Sequence, residues 1–254
     1  MNSRILRWPL VALILSACHA APPTLSLTTI PAEPLVEKLE QRSRSFSGLK
    51  AAARVETEHQ GRKRSYESVA VLLQGAGKLR VEGYDPLGTP QFAVLWSGGD
   101  ILFRRGAEGT FRQMSREDLV RLLGVTLLPG DLCSLLSGNV PSAPRDSAPT
   151  AGCRTEGHCV VEFRKNGLLW RVFVSRPDDQ PEGLAIEAAE VYDGGSLVFR
   201  STFLAQERIN GYLFPRRVVI EQPARAVRLT VEYEDLEVNV PVDDSLFLPE
   251  GGDR

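Results

Sequence analysis

The sequence has little of what most function classes require. It holds three histidines, His19, His59 and His158, and shows no G-x-S-x-G elbow, no H-E-x-x-H and no phosphate-binding P-loop. Asp178-Asp179 and Asp243-Asp244 sit in turn-like contexts and do not form a carboxylate pair. Catalytic residues, a metal site and a cofactor are therefore not expected, and the chain is read as a non-enzyme. No basic stripe interleaved with aromatics is present and the formal net charge is −2, which argues against a nucleic-acid partner. No repeat of solenoid length is visible. The apolar run at residues 8–15, broken by Pro9, is too short to cross a bilayer as a helix.

That run nevertheless carries an address. Arg4 and Arg7 precede it, and the small residues Ser16 and Ala17 lead from it directly into Cys18, a secretory pattern of basic, apolar and small regions. Leu15-Ser16-Ala17-Cys18 resembles the bacterial lipobox. The resemblance implies cleavage before Cys18 and acyl chains on that cysteine, each buried CH₂ adding about 0.8 kcal/mol to membrane anchoring. The competing reading is an ordinary signal peptide cut after Ala17 or Ala20. His19 stands where an aspartate would retain a lipoprotein at the inner membrane, so the expected location is the periplasmic face of the outer membrane.

Residues 1–17 thus read as leader and residues 18–34, rich in proline and threonine, as lipidated N-terminus and flexible tether. Residues 35–248 read as one domain and 249–254 as a tail. Leu35, Val36 and Leu39 have helical spacing. From Leu49 the period changes to two: eleven strand-like runs alternate apolar and polar residues, as in KLRVE and AVRLTVEYE. Their short connections demand antiparallel pairing. Two helices interrupt them. Ser115 and Asp118 form a capping-box variant ahead of Leu119, Leu122 and Leu123. Pro129 and Gly138 bracket Leu132, Leu135 and Leu136. About eleven strands are too many for one flat sheet. The expected fold is mainly β with α: a strongly curved antiparallel sheet, or unclosed barrel, with helices covering its opening. Of the cysteines left besides Cys18, Cys153 and Cys159 flank a short glycine-bearing loop. Export makes a disulfide between them the natural reading, with a zinc site using His158 as the alternative. Cys133 reads as a buried small hydrophobe.

Lipobox, tether, helix, the run KLRVEGYDPLGTPQFAVL, a capped helix, VTLLPGDLCSLLSG and KNGLLWRV, in that order, resemble the LolB-like family of the LolA/LolB lipoprotein-localisation superfamily. The resemblance spans about residues 46–240. The hairpin region of residues 182–212 and the cysteine loop depart from it. It implies a hollow that takes up acyl chains, and as partners acyl chains or lipoproteins, a LolA-like periplasmic carrier and the outer membrane, for a monomeric protein. Candidate hollow-lining residues are Val71, Leu79, Val81, Phe92, Val94, Trp96, Phe103 and Trp170, each of which could equally be ordinary core. The five residues Leu119, Leu122, Leu123, Leu132 and Leu135, with Leu136, are the candidate lid. Leu87, between Pro86 and Gly88 at a turn tip, corresponds to a leucine that touches membrane. The other functional class open to this sequence is a structural or assembly lipoprotein acting by protein–protein contact.

Overall fold

A computed structural model describes residues 27–249 apart from 124, 126, 142–144, 155–156 and 176–183, and only the backbone of Leu123. The leader, Cys18 and residues 250–254 lie outside the described residues.

A short strand, β1 (Thr28–Ile30), precedes helix α1 (Glu33–Ser45). A meander follows: β2 (Gly48–His59), β3 (Arg62–Gln74), β4 (Lys78–Tyr84), β5 (Pro90–Ser97), β6 (Asp100–Arg105) and β7 (Arg112–Gln113). Helices α2 (Arg116–Leu123) and α3 (Pro129–Leu136) come next. The second run of strands is β8 (Thr150–Cys153), β9 (Cys159–Lys165), β10 (Leu168–Ser175) and β11 (Ala185–Asp193). It ends with β12 (Ser196–Ile209), β13 (Tyr212–Gln222) and β14 (Val227–Val238).

All fourteen strands form one sheet in the order β1-β8-β9-β10-β11-β12-β13-β14-β2-β3-β4-β5-β6-β7. The edges β1 and β7 do not meet, so the sheet is open. The eleven strands read from the sequence are all present. The three additional ones, β1, β7 and β8, are two to four residues long at the two ends of the sheet, too short for alternation to register. Residues 28–30, read from sequence as tether, are thus paired to β8.

The curvature has a local cause. Register slips occur at Phe173/Val174, Val191/Tyr192, Tyr233/Asp235, Ala53/Val55 and Gly83/Tyr84. At Ala205 the backbone of β12 turns to φ +51° without a change of register against β13. Each bulge bends its strand and increases the local twist. Distributed across the sheet, they roll it around its apolar face. The polar face is not uniformly wet. Arg80 and Glu82, expected from alternation to meet water, are buried: the C-terminal turn Asp244–Phe247 docks on Arg80, and Arg80, Arg104 and Tyr84 gather on the Glu82 carboxylate. Arg80 donates to the Leu246 carbonyl at 2.8 Å and Lys78 meets Asp244 at 2.7 Å.

Inside the curve, α1 buries Leu35, Val36 and Leu39. Helix α3 is driven deeper: Cys133 and Leu135 are fully buried. Its end is a Schellman turn, with Gly138 N–H donating to Leu135 O at 3.0 Å and Asn139 N–H to Ser134 O at 2.8 Å. Gly138 takes φ +71°, and a Cβ there would lie 2.4 Å from Pro215. The sheet and α1 bolt this end in place. Tyr233 donates to Leu136 O at 2.8 Å, Tyr212 to Asn139 Oδ1 at 2.8 Å, and Arg42 to Gly138 O at 3.2 Å. Burial pushes the Tyr233 and Tyr212 phenols up, so both remain donors. Asp131, near the start of α3, meets Lys165 at 3.0 Å. Among the described residues, the polar bonds of helix α2 are local: the Ser115 hydroxyl accepts from Asp118 N–H at 3.1 Å, and Asp118 accepts from Ser115 N–H at 3.3 Å. These capping bonds hold the Asp118 carboxyl below its usual range.

Cys153 and Cys159 are disulfide-bonded with Cα atoms 4.0 Å apart, so neither sulfur remains for a zinc site. His158 instead lies 3.1 Å from Glu187. The bond clips the β8–β9 hairpin, whose turn is closed by Arg154 N–H to His158 O at 2.8 Å.

Two stability predictions follow from these anchors. Tyr233→Phe strands the Leu136 carbonyl in the core and should lower unfolding stability by about 1–3 kcal/mol, read by denaturant titration; an unchanged midpoint would show that the bolt is idle. Replacing Cys153 and Cys159 together by serine opens a small loop and should cost about 2 kcal/mol. Peptide mapping of unreduced protein should recover the linked pair, and two free thiols there would contradict the pairing.

Candidate functional site

The β4–β5 hairpin carries both parts of the candidate site. Its concave face presents Leu79 and Val81 opposite Trp96 and Val94, with Gly83 opposite Phe92. The Phe92 ring folds across Gly83, where a Cβ would lie 2.2 Å from it, and meets Tyr66 edge-on at 5.3 Å. Glycine is therefore required there for the ring to pack.

These side chains form the floor of a cavity of about 70 Å³. Val55 of β2, Val69 and Val71 of β3, Ile101 of β6, and Leu229 and Val231 of β14 extend its walls. Leu119 and Leu122 of α2, with Pro129, Leu132 and Leu136 of α3, close it from above. Polar atoms are almost missing from the wall: only Thr57 and Tyr66 carry a side-chain hydroxyl. A polar ligand would give up its hydrogen bonds to water here with little in return, so the wall selects hydrocarbon.

Six of the sequence-nominated residues converge on this cavity: Val71, Leu79, Val81, Phe92, Val94 and Trp96. Phe103 packs beside it, against the small cluster of Val94, Ile101 and Leu119. Trp170 does not line it. That ring is 2% exposed in the opposite half of the core, stacked on Phe163 at 6.2 Å and edge-on to Phe199 at 5.5 Å. Alternation marks the face of a strand but not which part of a curved face stays open, and β10 lies five strands away from β2. Among the candidate lid leucines, Leu119, Leu122, Leu132 and Leu136 line the cavity and Leu135 is wholly buried in the main core. The side chain of Leu123 is outside the described residues. Val55, Leu229 and Val231 were not nominated. Their signal was the alternation of β14 and the pairing of Leu229 with Thr57 and Val231 with Val55, which depends on a contact between the two ends of the chain.

At the hairpin's end Leu87 is 92% exposed. The residue that holds it out is Asp85, which turn statistics on Pro86 and Gly88 did not single out. Asp85 Oδ1 accepts from the N–H groups of Leu87 and Thr89, both at 2.9 Å, and Oδ2 accepts from Gln91 at 3.1 Å. Gly88, at φ +80°, returns its N–H to Asp85 O at 2.9 Å. This Asx-type scaffold is the extra signal that D-P-x-G contained. Cys133, on the buried face of α3, has its thiol pushed up by burial and is no nucleophile near neutral pH.

No protein-family model matches the sequence, and no curated protein matches it. Solved structures do. A LolA superfamily protein from Nitrosomonas europaea superposes with a TM-score of 0.56 at 17% identity, over 86% of this chain and 98% of that one. A putative outer membrane lipoprotein-sorting protein domain from Vibrio parahaemolyticus gives 0.57 at 12% identity, over 85% and 97%. A DUF1329 family protein from Desulfovibrio piger gives 0.50 at 14% identity, over 86% and 97%. At these identities the likeness is one of fold: the chain has the open, helix-covered antiparallel sheet found in LolA superfamily proteins.

Proposed function

We propose that this protein is an outer-membrane-anchored, LolB-like lipoprotein. It takes acyl chains, free or borne by a lipoprotein, into the hollow beneath α2 and α3 and helps insert or localise them at the outer membrane. The observation that carries this reading is the joining of an almost wholly apolar cavity and a 92% exposed leucine on one hairpin. Cys18 supplies the anchor, a LolA-like carrier is the donor, and the work is binding and release without catalysis. Sharing a fold with a protein described as outer membrane lipoprotein-sorting supports the envelope setting.

The cavity's 70 Å³ falls short of the roughly 300–1,000 Å³ of a ligand pocket, so loading requires a wall to move. Helix α3 is bolted at its end by Tyr233, Tyr212 and Arg42. Among the described residues, helix α2 has its capping bonds and the ion pair from Arg121 to Asp118, besides its apolar face. The lid that opens is therefore α2. The small closed volume also favours the second reading, an assembly lipoprotein with a packed interior and no lipid cargo.

Mass spectrometry of organic extracts from the natively purified chain carrying Cys18→Ser separates the two. The carrier should retain acyl lipids in about molar amount, and a lipid-free protein would favour the assembly role. Leu87→Glu in the same background should leave the melting temperature unchanged. It should weaken liposome binding by the worth of one buried aliphatic, about 1.5–3 kcal/mol. A large fall in melting temperature with unaltered liposome binding would remove Leu87 from the mechanism.

A further inference from the structure

The apolar cavity opens beside a charged recess. On the concave face of β2 and β3, Val55 pairs with Tyr66, Thr57 with Arg64, and His59 with Arg62. Val55, Thr57 and Tyr66 line the cavity. Alternation therefore carries Arg64 and Arg62 onto the same face, one and two steps nearer the hairpin tip. There they line, with Arg121 of α2, a recess of about 190 Å³. Thr57 and Leu122 belong to both walls, so recess and cavity adjoin.

The charges of this recess are poorly matched from within. Glu58 is the one carboxylate in its wall, and Lys63 stands 3.9 Å from it. Arg121 is 2.7 Å from Asp118. Among the described residues, the side chains of Arg62 and Arg64 form no ion pair or hydrogen bond. The whole chain carries a net charge of −2, so this concentration of guanidinium groups is local.

We propose that the recess is a phosphate subsite, taking the phosphodiester of a glycerophospholipid whose acyl chain enters the adjoining cavity. The two parts of such a molecule, anionic head and hydrocarbon tail, are joined as the recess and the cavity are. Guanidinium forks match phosphate oxygens bidentately, and the apolar wall on one side strengthens the attraction. Arg121 rides on α2 while Arg62 and Arg64 sit on the fixed hairpin, so one bound head group touches both the lid and the sheet. The inference deepens the carrier reading, since it assumes a hydrocarbon occupant, and narrows the cargo to amphiphiles with a phosphate head.

The test titrates the full chain carrying Cys18→Ser and Trp8→Phe with dihexanoyl phosphatidylglycerol below its micelle concentration, following the tryptophan emission, in which Trp96 lines the cavity and Trp170 is buried away from it. Dihexanoylglycerol, which lacks the phosphate, and inorganic phosphate serve as the other two probes. Adding Arg62→Gln and Arg64→Gln should weaken phosphatidylglycerol binding about tenfold and flatten its dependence on salt. Dihexanoylglycerol binding and the melting temperature should stay as in the parent. Equal binding of phosphatidylglycerol by parent and variant would overturn the subsite while leaving the carrier reading intact. An equal loss of both lipids would also overturn it, because the arginines would then act on the fold. Inorganic phosphate competing as well as the lipid would reassign the recess to a free anion. If the parent binds neither lipid, the carrier reading falls with it.

Discussion

The last carbonyls of a helix have no partners within the helix, and α3 ends inside the curve of a sheet, away from bulk water. Its termination is therefore the constraint on which the concave side depends. The Schellman turn at Gly138 uses two of those groups internally. Tyr233 on β14 donates to the Leu136 carbonyl, while just past the helix end Tyr212 on β13 donates to the Asn139 amide oxygen and Arg42 on α1 to the Gly138 carbonyl. The guanidinium of Arg42 also lies 4.5 Å from the centre of the Tyr212 ring. Four elements, from α1 to β14, are thereby tied at one point. Because α3 cannot withdraw without stranding buried polar groups, it behaves as part of the wall. The space between it and β2–β6 is left for the weakly held α2 to cover.

The same sheet thus holds two interiors of different character. Under α1 and α3, Trp170, Phe199, Phe214 and Tyr233 fill the curve with rings in contact, Phe214 meeting Tyr233 at 5.3 Å. Under α2 the floor is made of smaller aliphatics with Phe92 and Trp96 at its border, and the packing is incomplete. Close-packed interiors resist change, whereas a poorly filled one beneath a short amphipathic helix can exchange its cover for a ligand at modest cost. The basic residues at the mouth then complete a gradient from hydrocarbon to charge along β2 and β3. That is the polarity profile of a lipid laid along the strands.

Much of this was legible in the chain. Period-two alternation identified eleven strands, capping chemistry located α2 and α3, and six residues of the cavity wall followed from the alternation of β3, β4 and β5. The exposed position of Leu87 followed from Pro86 and Gly88. Other features were not legible because they depend on pairing between distant segments. The edge strands β1, β7 and β8 are too short to show a period. Trp170 and Trp96 have the same kind of sequence environment, yet one is core and the other lines the cavity. Arg80 and Glu82 look solvated until the C-terminal turn is laid across Arg80 and β6 brings Arg104 to Glu82.

What the sequence determined by itself is local: which residues alternate, where helices begin and end, and how the D-P-x-G turn aims its leucine. These are set by backbone dihedrals and neighbours a few residues away. The tertiary structure alone decided which part of the apolar face is filled and which stays hollow. That outcome arises where β14 closes onto β2 and where Tyr233, Tyr212 and Arg42 capture the end of α3. Bulges along five strand pairs set the radius of the curve, and that radius fixes how much side-chain volume the interior must hold. Packing density is a property of the closed surface, and no single segment contains it.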